Sequence, residues 1–361
     1  MKRNKEKFAY RALIKERKSL EKVSVSNELH DLLMSKNSTS FWNTWKHKVC
    51  STKDILPCID GCYDDFKNCE AFKNYFASVC TVNSQDFDSR MRIEFRDRLA
   101  TYSESTPINI INCDSFNSTL IRLSIAKLHA GKAAGIDNLQ AEHLINAHPI
   151  LHEILAKLFN LMLQCEYVPR DFGRGLLIPI PKESSKNGIM STNQFRGITI
   201  SPVISKAFEH CILMLYSRHF ETSERQFGYK SKVGCTAAIY TVRKVIDHFV
   251  ENDSTVNVCC LDISKAFDRV NHYALYIKLI DRGFPLKLIL LLKDWYSNSF
   301  CCVRWGSVVS DAFIMSAGVR QGGVLSAHLF NIYVNNVLTN LDNSGYTMAG
   351  LNVGSFLYAD D

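Results

Sequence analysis

Residues Phe356-Leu357-Tyr358-Ala359-Asp360-Asp361 place two adjacent carboxylates directly after a short apolar run. The pattern predicts a strand that delivers both acids into a tight turn. Like charges repel one another, and a protein keeps two acids at the end of a buried strand mainly when a cation lies between them. The pair therefore indicates a metal site.

A third acid follows an earlier apolar run of the same kind. Residues 256–261 predict another strand, and Asp262 comes directly after it. Two strands that each end in a carboxylate can together hold a pair of Mg²⁺ ions for in-line attack at phosphorus. A lone Asp in this position is ordinarily the N-cap of the next helix, so the pair at 360–361 is what favours the metal site.

The basic charge of the chain is concentrated at its N-terminal end. The chain has 361 residues, 46% hydrophobic and 22% charged, which is typical of a globular protein with a sizeable core. The first 50 residues carry 12 Lys or Arg against 5 Asp or Glu, whereas the other 311 carry 31 of each. A basic arm ahead of a neutral domain favours a polyanionic partner, and a solvated helix surface explains it equally well.

The sequence predicts an intracellular protein, cytoplasmic or nuclear, without a membrane partner. Arg11 interrupts the apolar residues that follow the basic start, so no signal peptide is expected. The longest uncharged apolar stretch is too short for a membrane span. The 13 cysteines are an odd number without framework spacing, which indicates reduced thiols.

Local periodicity and chain breakers predict a helix-rich α+β fold whose strands pair out of sequence order. We expect two hairpins, at residues 176–200 and 300–316, and helices at residues 116–130, 149–166, 202–220, 235–250, 265–282, 286–297 and 324–340. Asp137 and Gln140 form a capping-box pattern for one further helix. We place a boundary near Asp114, between a basic helical segment of residues 1–114 and a domain of residues 115–361.

Three segments follow one another along the chain: residues 262–272 (Asp-Ile-Ser-Lys-Ala-Phe-Asp-Arg-Val-Asn-His), 318–326 (Gly-Val-Arg-Gln-Gly-Gly-Val-Leu-Ser) and 356–361. In this order they resemble the palm motifs of reverse transcriptases from non-LTR retrotransposons. Four further segments resemble the fingers motifs of the same family: residues 131–137, 141–143, 178–182 and 195–199. The resemblance covers residues 115–361, and residues 1–114 resemble, more weakly, the linker between the family's endonuclease and polymerase domains.

The resemblance implies an RNA-directed DNA polymerase with right-hand fingers and a partial palm. It implies that Asp262 and Asp360 are the principal ligands of a pair of Mg²⁺ ions, which Mn²⁺ can replace, and that Asp361 is a weaker or outer ligand. The palm's return strand and the thumb are expected beyond residue 361, so the chain is interpreted as truncated at the catalytic turn, with the thumb absent. Because that strand would hold the turn, we expect the isolated chain to be inactive.

The resemblance also implies a nucleotide site. Phe267 would lie under the sugar and reject a 2′-hydroxyl by steric clash. Lys182 and Arg196, on the two arms of the first hairpin, would bind the triphosphate. Without the resemblance, the same residues are interpreted as a core aromatic and a solvated hairpin face.

Two further segments are assigned to the nucleotide and the template. Gln321, Gly322 and Gly323 would let the backbone approach both closely, because glycine presents no side chain. Lys230 and Lys232 resemble a template-contacting stretch. Taken alone, the first segment is an ordinary turn and the second an ordinary surface.

The implied partners are an RNA template, a DNA primer and dNTPs, with no indication of oligomeric state. The rival interpretation is a catalytically inactive remnant or a host-retained RNA-binding module that uses the basic N-terminal arm. Salt-sensitive nucleic-acid binding that needs residues 1–50 and proceeds without nucleotide incorporation would favour the rival.

Overall fold

The computed structural model describes residues 16–17, 23–48, 58–105, 116–182, 189–230, 233–341, 346–348 and 351–360. The chain divides into two compact units, Met1–Pro57 and Cys58–Asp361. In the first unit, residues 23–34 form helix α1, and Ser38–Lys48 form helix α2. Phe41 stacks on Trp45 within α2, with the ring centroids 6.3 Å apart. The described residues of the first unit are thus largely helical.

The second unit is rich in helices. They are α3 (Asp65–Val79), α4 (Gln85–Ser105), α5 (Ser118–Ile125), α6 (Ala141–Ile145), α7 (Ile150–Cys165), α8 (Val203–Leu215), α9 (Cys235–Glu251), α10 (His272–Asp281), α11 (Leu286–Ser297) and α12 (Val324–Asn340). The predictions of α7, α9, α11 and α12 are confirmed. None of the helices in the described part of the chain is long and apolar enough to cross a bilayer.

A mixed sheet forms the framework for the site. The strands are β1 (Cys58–Ile59), β2 (Arg174–Pro181), β3 (Ile189–Met190), β4 (Phe195–Ile200), β5 (Phe300–Trp305), β6 (Val308–Val309), β7 (Phe313–Ile314), β8 (Thr347–Met348) and β9 (Leu351–Asn352). The main sheet has the order β4-β2-β5-β6, with β7 also on β5. Strand β2 runs antiparallel to β4 and parallel to β5. Both predicted hairpins and the out-of-order pairing are therefore confirmed.

Two apolar clusters hold the second unit together. The larger lies among the helices, where Phe208 packs against Phe159 at 4.6 Å and against Trp295 at 5.6 Å. The smaller lies between α3 and the sheet, where Phe72 meets Phe195 at 4.8 Å. Residues 58–105 therefore pack within the second unit, and their interpretation as part of a linker ending near residue 114 stays a prediction about function.

The predicted strand at residues 256–261 is wrong. These residues form neither a helix nor a strand, and Val258 and Leu261 are 59% and 75% exposed. A strand is completed by hydrogen bonds to a neighbour, and the described residues place no partner strand beside this segment. The strand predicted before Asp360 is also reduced, to a one-residue bridge between Leu357 and Gln226.

Four predicted helix boundaries were wrong as well, and one of them is the end of α8, which lies at Leu215 and not at residue 220. Helix α6 begins at Ala141 with Gln140 as its N-cap, while Asp137 accepts a hydrogen bond from the backbone of Leu139 at 3.2 Å. The helix predicted to reach residue 130 ends at Ile125 and continues as turns, and the one predicted from residue 265 begins at His272. Local turn-forming bonds compete with the helix at each of these ends.

Candidate active site

A cavity of about 370 Å³ opens between strand β4, helix α3 and the loops that precede helices α10 and α12. Its lining includes these residues predicted from the sequence: Lys182, Arg196, Phe267, Gln321, Gly322, Gly323 and Asp360. It also includes residues that the motifs did not single out, among them Tyr75, Tyr229, Lys265 and Asp268. Segments far apart in the sequence thus meet around one space.

Two cations reach this cavity from the hairpin of β2 and β4. The register pairs Ile180 with Arg196. Because side chains alternate along a strand, Lys182, two residues beyond Ile180, lies on the same face as Arg196. Both side chains are exposed, and the ammonium group of Lys182 donates to the carbonyl oxygen of Asn193 at 3.2 Å. The hairpin therefore presents an ammonium and a guanidinium side by side, a pair suited to phosphate oxygens.

The ring of Phe267 forms a fixed wall of the cavity. It stacks on Phe330 of α12 with the centroids 4.7 Å apart and the planes at 16°, and it meets the edge of Tyr229 at 5.6 Å. The backbone carbonyl oxygen of Phe267 accepts a hydrogen bond from the backbone N–H of Val319 at 2.7 Å. Aromatic packing on one side and a backbone bond on the other leave the ring little freedom.

The loop of residues 318–323 is pinned against β4. The backbone N–H of Thr199 donates to the carbonyl oxygen of Gln321 at 2.7 Å. Gly322 adopts φ +118°, and a Cβ there would lie 2.5 Å from the carbonyl oxygen of Thr199. Only glycine permits this conformation and this approach, and the role of the loop toward a nucleotide and a template stays a prediction.

The side chain of Gln321 is oriented by an acid in the same cavity. Its Nε2 donates to both carboxylate oxygens of Asp268, at 2.9 and 3.0 Å. Burial raises the pKa of Asp268, and the hydrogen bond from Gln321 opposes that shift. Asp268 thus pairs with a neighbour that is a predicted site residue.

Two buried charges lie beneath the loop, and sequence reasoning missed both. The guanidinium of Arg320 donates to the carbonyl oxygens of Phe172 and Gly173 at 3.1 and 2.7 Å. An oxygen of Glu209 accepts from the backbone N–H of Leu325 at 2.7 Å, at the N-terminus of α12, where a helix dipole favours negative charge. Burial nevertheless raises the pKa of Glu209.

The turn that carries Asp360 is held by a buried amide. Oε1 of Gln226 accepts from the backbone N–H groups of Gly228 and Ala359 at 2.8 and 3.0 Å, and its Nε2 donates to the carbonyl oxygen of Ala359 at 3.3 Å. A Cβ on Gly228 would lie 2.2 Å from the nitrogen of Ala359, so the two segments are in direct contact. Gln226 therefore supports this turn up to residue 360, and the expectation that a return strand holds the Asp360-Asp361 pair stays a prediction.

The predicted acids are only partly brought together. Asp262 is exposed and does not line the cavity, but the backbone N–H of the next residue, Ile263, donates to the carbonyl oxygen of Asp360 at 3.3 Å. Asp361 lies outside the described residues. Among those that are described, no group of three or more His, Cys, Asp or Glu is arranged to hold a metal. Two carboxylates on adjoining segments are nevertheless the ligand type that Mg²⁺ takes, so the donor set fits the implied ion.

The predicted template residues lie beside a second cavity or outside the described chain. Lys230 lines a neighbouring cavity of about 900 Å³ together with Lys127, His210 and His328, and Tyr229 borders both cavities. The ammonium group of Lys230 donates to the carbonyl oxygen of Ser223 at 2.6 Å, and burial lowers its pKa. Lys232 lies outside the described residues.

The sequence matches a known family over half of its length. Residues 180–361 match the family described as reverse transcriptase (RNA-dependent DNA polymerase). The chain therefore belongs to the reverse transcriptase family.

Its relatives are proteins of mobile elements, and they confirm the resemblance to non-LTR retrotransposons. It is 30% identical over 179 residues to the probable RNA-directed DNA polymerase from transposon X-element of Drosophila melanogaster, covering 48% of this chain and 19% of that protein. It is 27% identical over 278 residues to the RNA-directed DNA polymerase from mobile element jockey of Drosophila funebris, covering 74% and 29%. It is 24% identical over 217 residues to the Pol polyprotein of element R2DM of Drosophila melanogaster, covering 60% and 20%. The chain thus spans less than a third of the length of these relatives.

Proposed function

We propose that the chain forms the nucleotide-binding part of an RNA-directed DNA polymerase of a non-LTR retrotransposon. The observation that carries the proposal is the 370 Å³ cavity. The hairpin of β2 and β4, Phe267 and the 318–323 loop surround this one space, and Asp360 lies at its border. The membership of residues 180–361 in the reverse transcriptase family supports the same reaction.

The lining residues divide the work of holding a dNTP. Lys182 binds a phosphate oxygen as a point charge and Arg196 as a fork. The sugar lies on Phe267, whose ring cannot move aside because Phe330 is stacked behind it. A 2′-hydroxyl would meet this ring, so the site prefers a deoxyribose. The backbone at Gly322, which lines the cavity, lies next to the base and the template.

The acids are the residues that would hold the metal ions. Asp262 and Asp360, with Asp361 beside them, supply carboxylate oxygens to Mg²⁺. When bound, the ions polarise the phosphoryl oxygens and lower the pKa of the attacking primer hydroxyl. The chain's own part is to fix Asp360 through Gln226 and to keep the segment of Asp262 beside it through the bond from Ile263.

We place a nucleic-acid strand in the second cavity. Lys127 and Lys230 give it positive charge, and it meets the nucleotide cavity at Tyr229, an exposed ring on which a base can stack. The RNA template and the DNA primer are accordingly the proposed macromolecular partners.

The test is primer extension by the protein expressed from the complete reading frame that contains these residues. An RNA template, a DNA primer, dNTPs and Mg²⁺ are supplied, and Asp262→Ala and Asp360→Asn are compared with the unmodified protein. We expect each substitution to abolish incorporation. The matched control is Asp253→Asn, at an exposed turn position with φ +54° that Asn adopts readily. Incorporation that survives in Asp262→Ala would refute the assignment.

The rival function is nucleic-acid binding without synthesis. The excess of basic residues within the first 50 positions favours it. If it holds, the complete protein binds RNA with steep salt dependence, deletion of residues 1–50 removes that binding, and no nucleotide is incorporated.

A further inference from the structure

Lys265 is a cavity cation with no role in the nucleotide site described so far. It lies in the turn before Phe267 and lines the cavity that also contains Lys182 and Arg196. Its ammonium group lies 4.9 Å from the centroid of the Tyr75 ring, a cation–π contact with helix α3. The side chain is therefore directed across the cavity wall and not toward open solvent.

The backbone at Lys265 has an uncommon conformation. Its φ is +57°, in the left-handed region that favours glycine, and its carbonyl oxygen accepts from the backbone N–H of Asp268 at 3.0 Å. Other residues of the chain share this conformation in ordinary turns, among them Lys36 and Glu166. The conformation alone therefore indicates no function, and the argument depends on what surrounds the side chain.

Three cations act on the same carboxylate. Lys265, Lys182 and Arg196 all line this cavity, and the charge of each lowers the pKa of Asp268. Against the two acids of the lining, Asp268 and Asp360, the three cations leave an excess of positive charge. A polyanionic ligand matches that excess better than a neutral one.

We propose that Lys265 is a third cation that binds the triphosphate of the incoming nucleotide, and that Tyr75 holds it in place until the nucleotide arrives. The inference rests on the proposed function. A cation–π contact at a partly exposed site is weaker than a charge-assisted hydrogen bond to a phosphate oxygen, so the ammonium group leaves the ring for the ligand. Helix α3, which the motifs do not cover, thereby becomes part of the nucleotide site.

The experiment measures equilibrium binding of dTTP and dTMP to the 361-residue chain in the presence of Mg²⁺. Lys265→Met is expected to weaken dTTP binding about tenfold, ~1.4 kcal/mol, and to change dTMP binding much less. Lys265→Arg restores most of the dTTP affinity, because it returns the charge. Lys265→Gly is a second removal of the cation, at a φ that glycine adopts without strain.

The matched control is Lys244→Met. Lys244 also lies over a tyrosine, with its ammonium group 5.8 Å from the ring centroid of Tyr240, on helix α9 and outside the cavity lining. We expect this substitution to leave both affinities unchanged.

The outcomes separate this inference from the proposed function. If the unmodified chain prefers dTTP to dTMP and neither Lys265→Met nor Lys265→Gly changes that preference, the role of Lys265 is refuted and the nucleotide site stands. If both substitutions weaken dTTP and dTMP binding equally, the contact with the triphosphate is refuted as well. If the unmodified chain shows no preference for the triphosphate, both the inference and the proposed nucleotide site are wrong.

Discussion

The substitution Gln226→Leu tests how the turn of Asp360 is supported. Gln226 is fully buried, and its amide bridges the backbone of Gly228 and Ala359. Leucine has nearly the same volume but no polar atom, so the space occupied by the side chain stays filled while every one of these hydrogen bonds is lost. The perturbation therefore acts on hydrogen bonding and not on packing.

The expected loss follows from the bonds that Gln226 makes. It accepts from two backbone N–H groups and donates to one carbonyl oxygen. Each such bond contributes about 1 kcal/mol net, and a buried group left without a partner costs about 1–3 kcal/mol. We expect the free energy of unfolding to fall by about 3 kcal/mol or more, which for a unit of this size corresponds to roughly 5 °C in Tm.

The assay is urea unfolding of the 361-residue chain, followed by circular dichroism, with amide hydrogen exchange measured at residues 357–360. The control is Gln164→Leu, at an exposed position of α7, for which we expect a change within about 0.5 kcal/mol. If Gln226→Leu loses less than about 1 kcal/mol, or leaves exchange at 357–360 unchanged, the bridge does not hold the turn.

Three further substitutions probe the loop and the cavity. Gly322→Ala forces a methyl group to within 2.5 Å of the Thr199 carbonyl oxygen at φ +118°, so we expect urea unfolding to show a loss of about 2 kcal/mol or more. Gly234→Ala meets no atom within 4 Å and is expected to lose less than about 1 kcal/mol, the cost of alanine at the N-cap of α9. Burial lowers the pKa of His272 below 6.5, so its contribution to stability is present above pH 6.5 and is lost as the pH falls below that value. His272→Gln keeps a hydrogen-bond donor but does not titrate. As the pH is lowered from 7.5 to 5.5, its free energy of unfolding is therefore expected to fall less than that of the unmodified chain. Equal falls in urea titrations would show that His272 does not cause this pH dependence. Phe267→Val removes the ring beneath the proposed sugar site, and the preference for dNTP over rNTP in primer extension is expected to narrow by at least about tenfold; an unchanged preference would exclude a steric role.

The elements that the sequence predicted well have local determinants. Helix α11 begins directly after Pro285 and has apolar residues at helical spacing, and the hairpin of β2 and β4 is marked by two prolines that exclude a helix. The segment at 256–261 has the same local appearance as a strand, but pairing depends on a neighbour that local sequence does not specify. The error there arises from tertiary contacts and not from the residues themselves.

The residues in and around the cavity also divide into those with local determinants and those that depend on tertiary contacts. The motifs that contain Lys182, Phe267 and Gln321 predicted residues that the fold brings around one space, because each motif carries its own turn or strand. Gln226 and Arg320 escaped prediction because their partners lie far along the chain, at Ala359 and at Phe172. No spacing rule identifies a buried side chain that hydrogen-bonds the backbone of a distant segment.

The burial of a polar side chain predicts whether it binds the nucleotide or stabilises the residues that do. Lys182 and Arg196 are exposed, so replacing either is expected to weaken nucleotide binding with little change in unfolding free energy. Arg320 and Gln226 are buried and bonded to backbone, so replacing either leaves orphaned polar groups and lowers stability and nucleotide binding together. Measuring both quantities for each variant therefore shows which residues touch the ligand and which only place those that do. Lys265 is expected to behave like the hairpin cations, since it lines the same cavity and its ammonium group lies over the face of the Tyr75 ring.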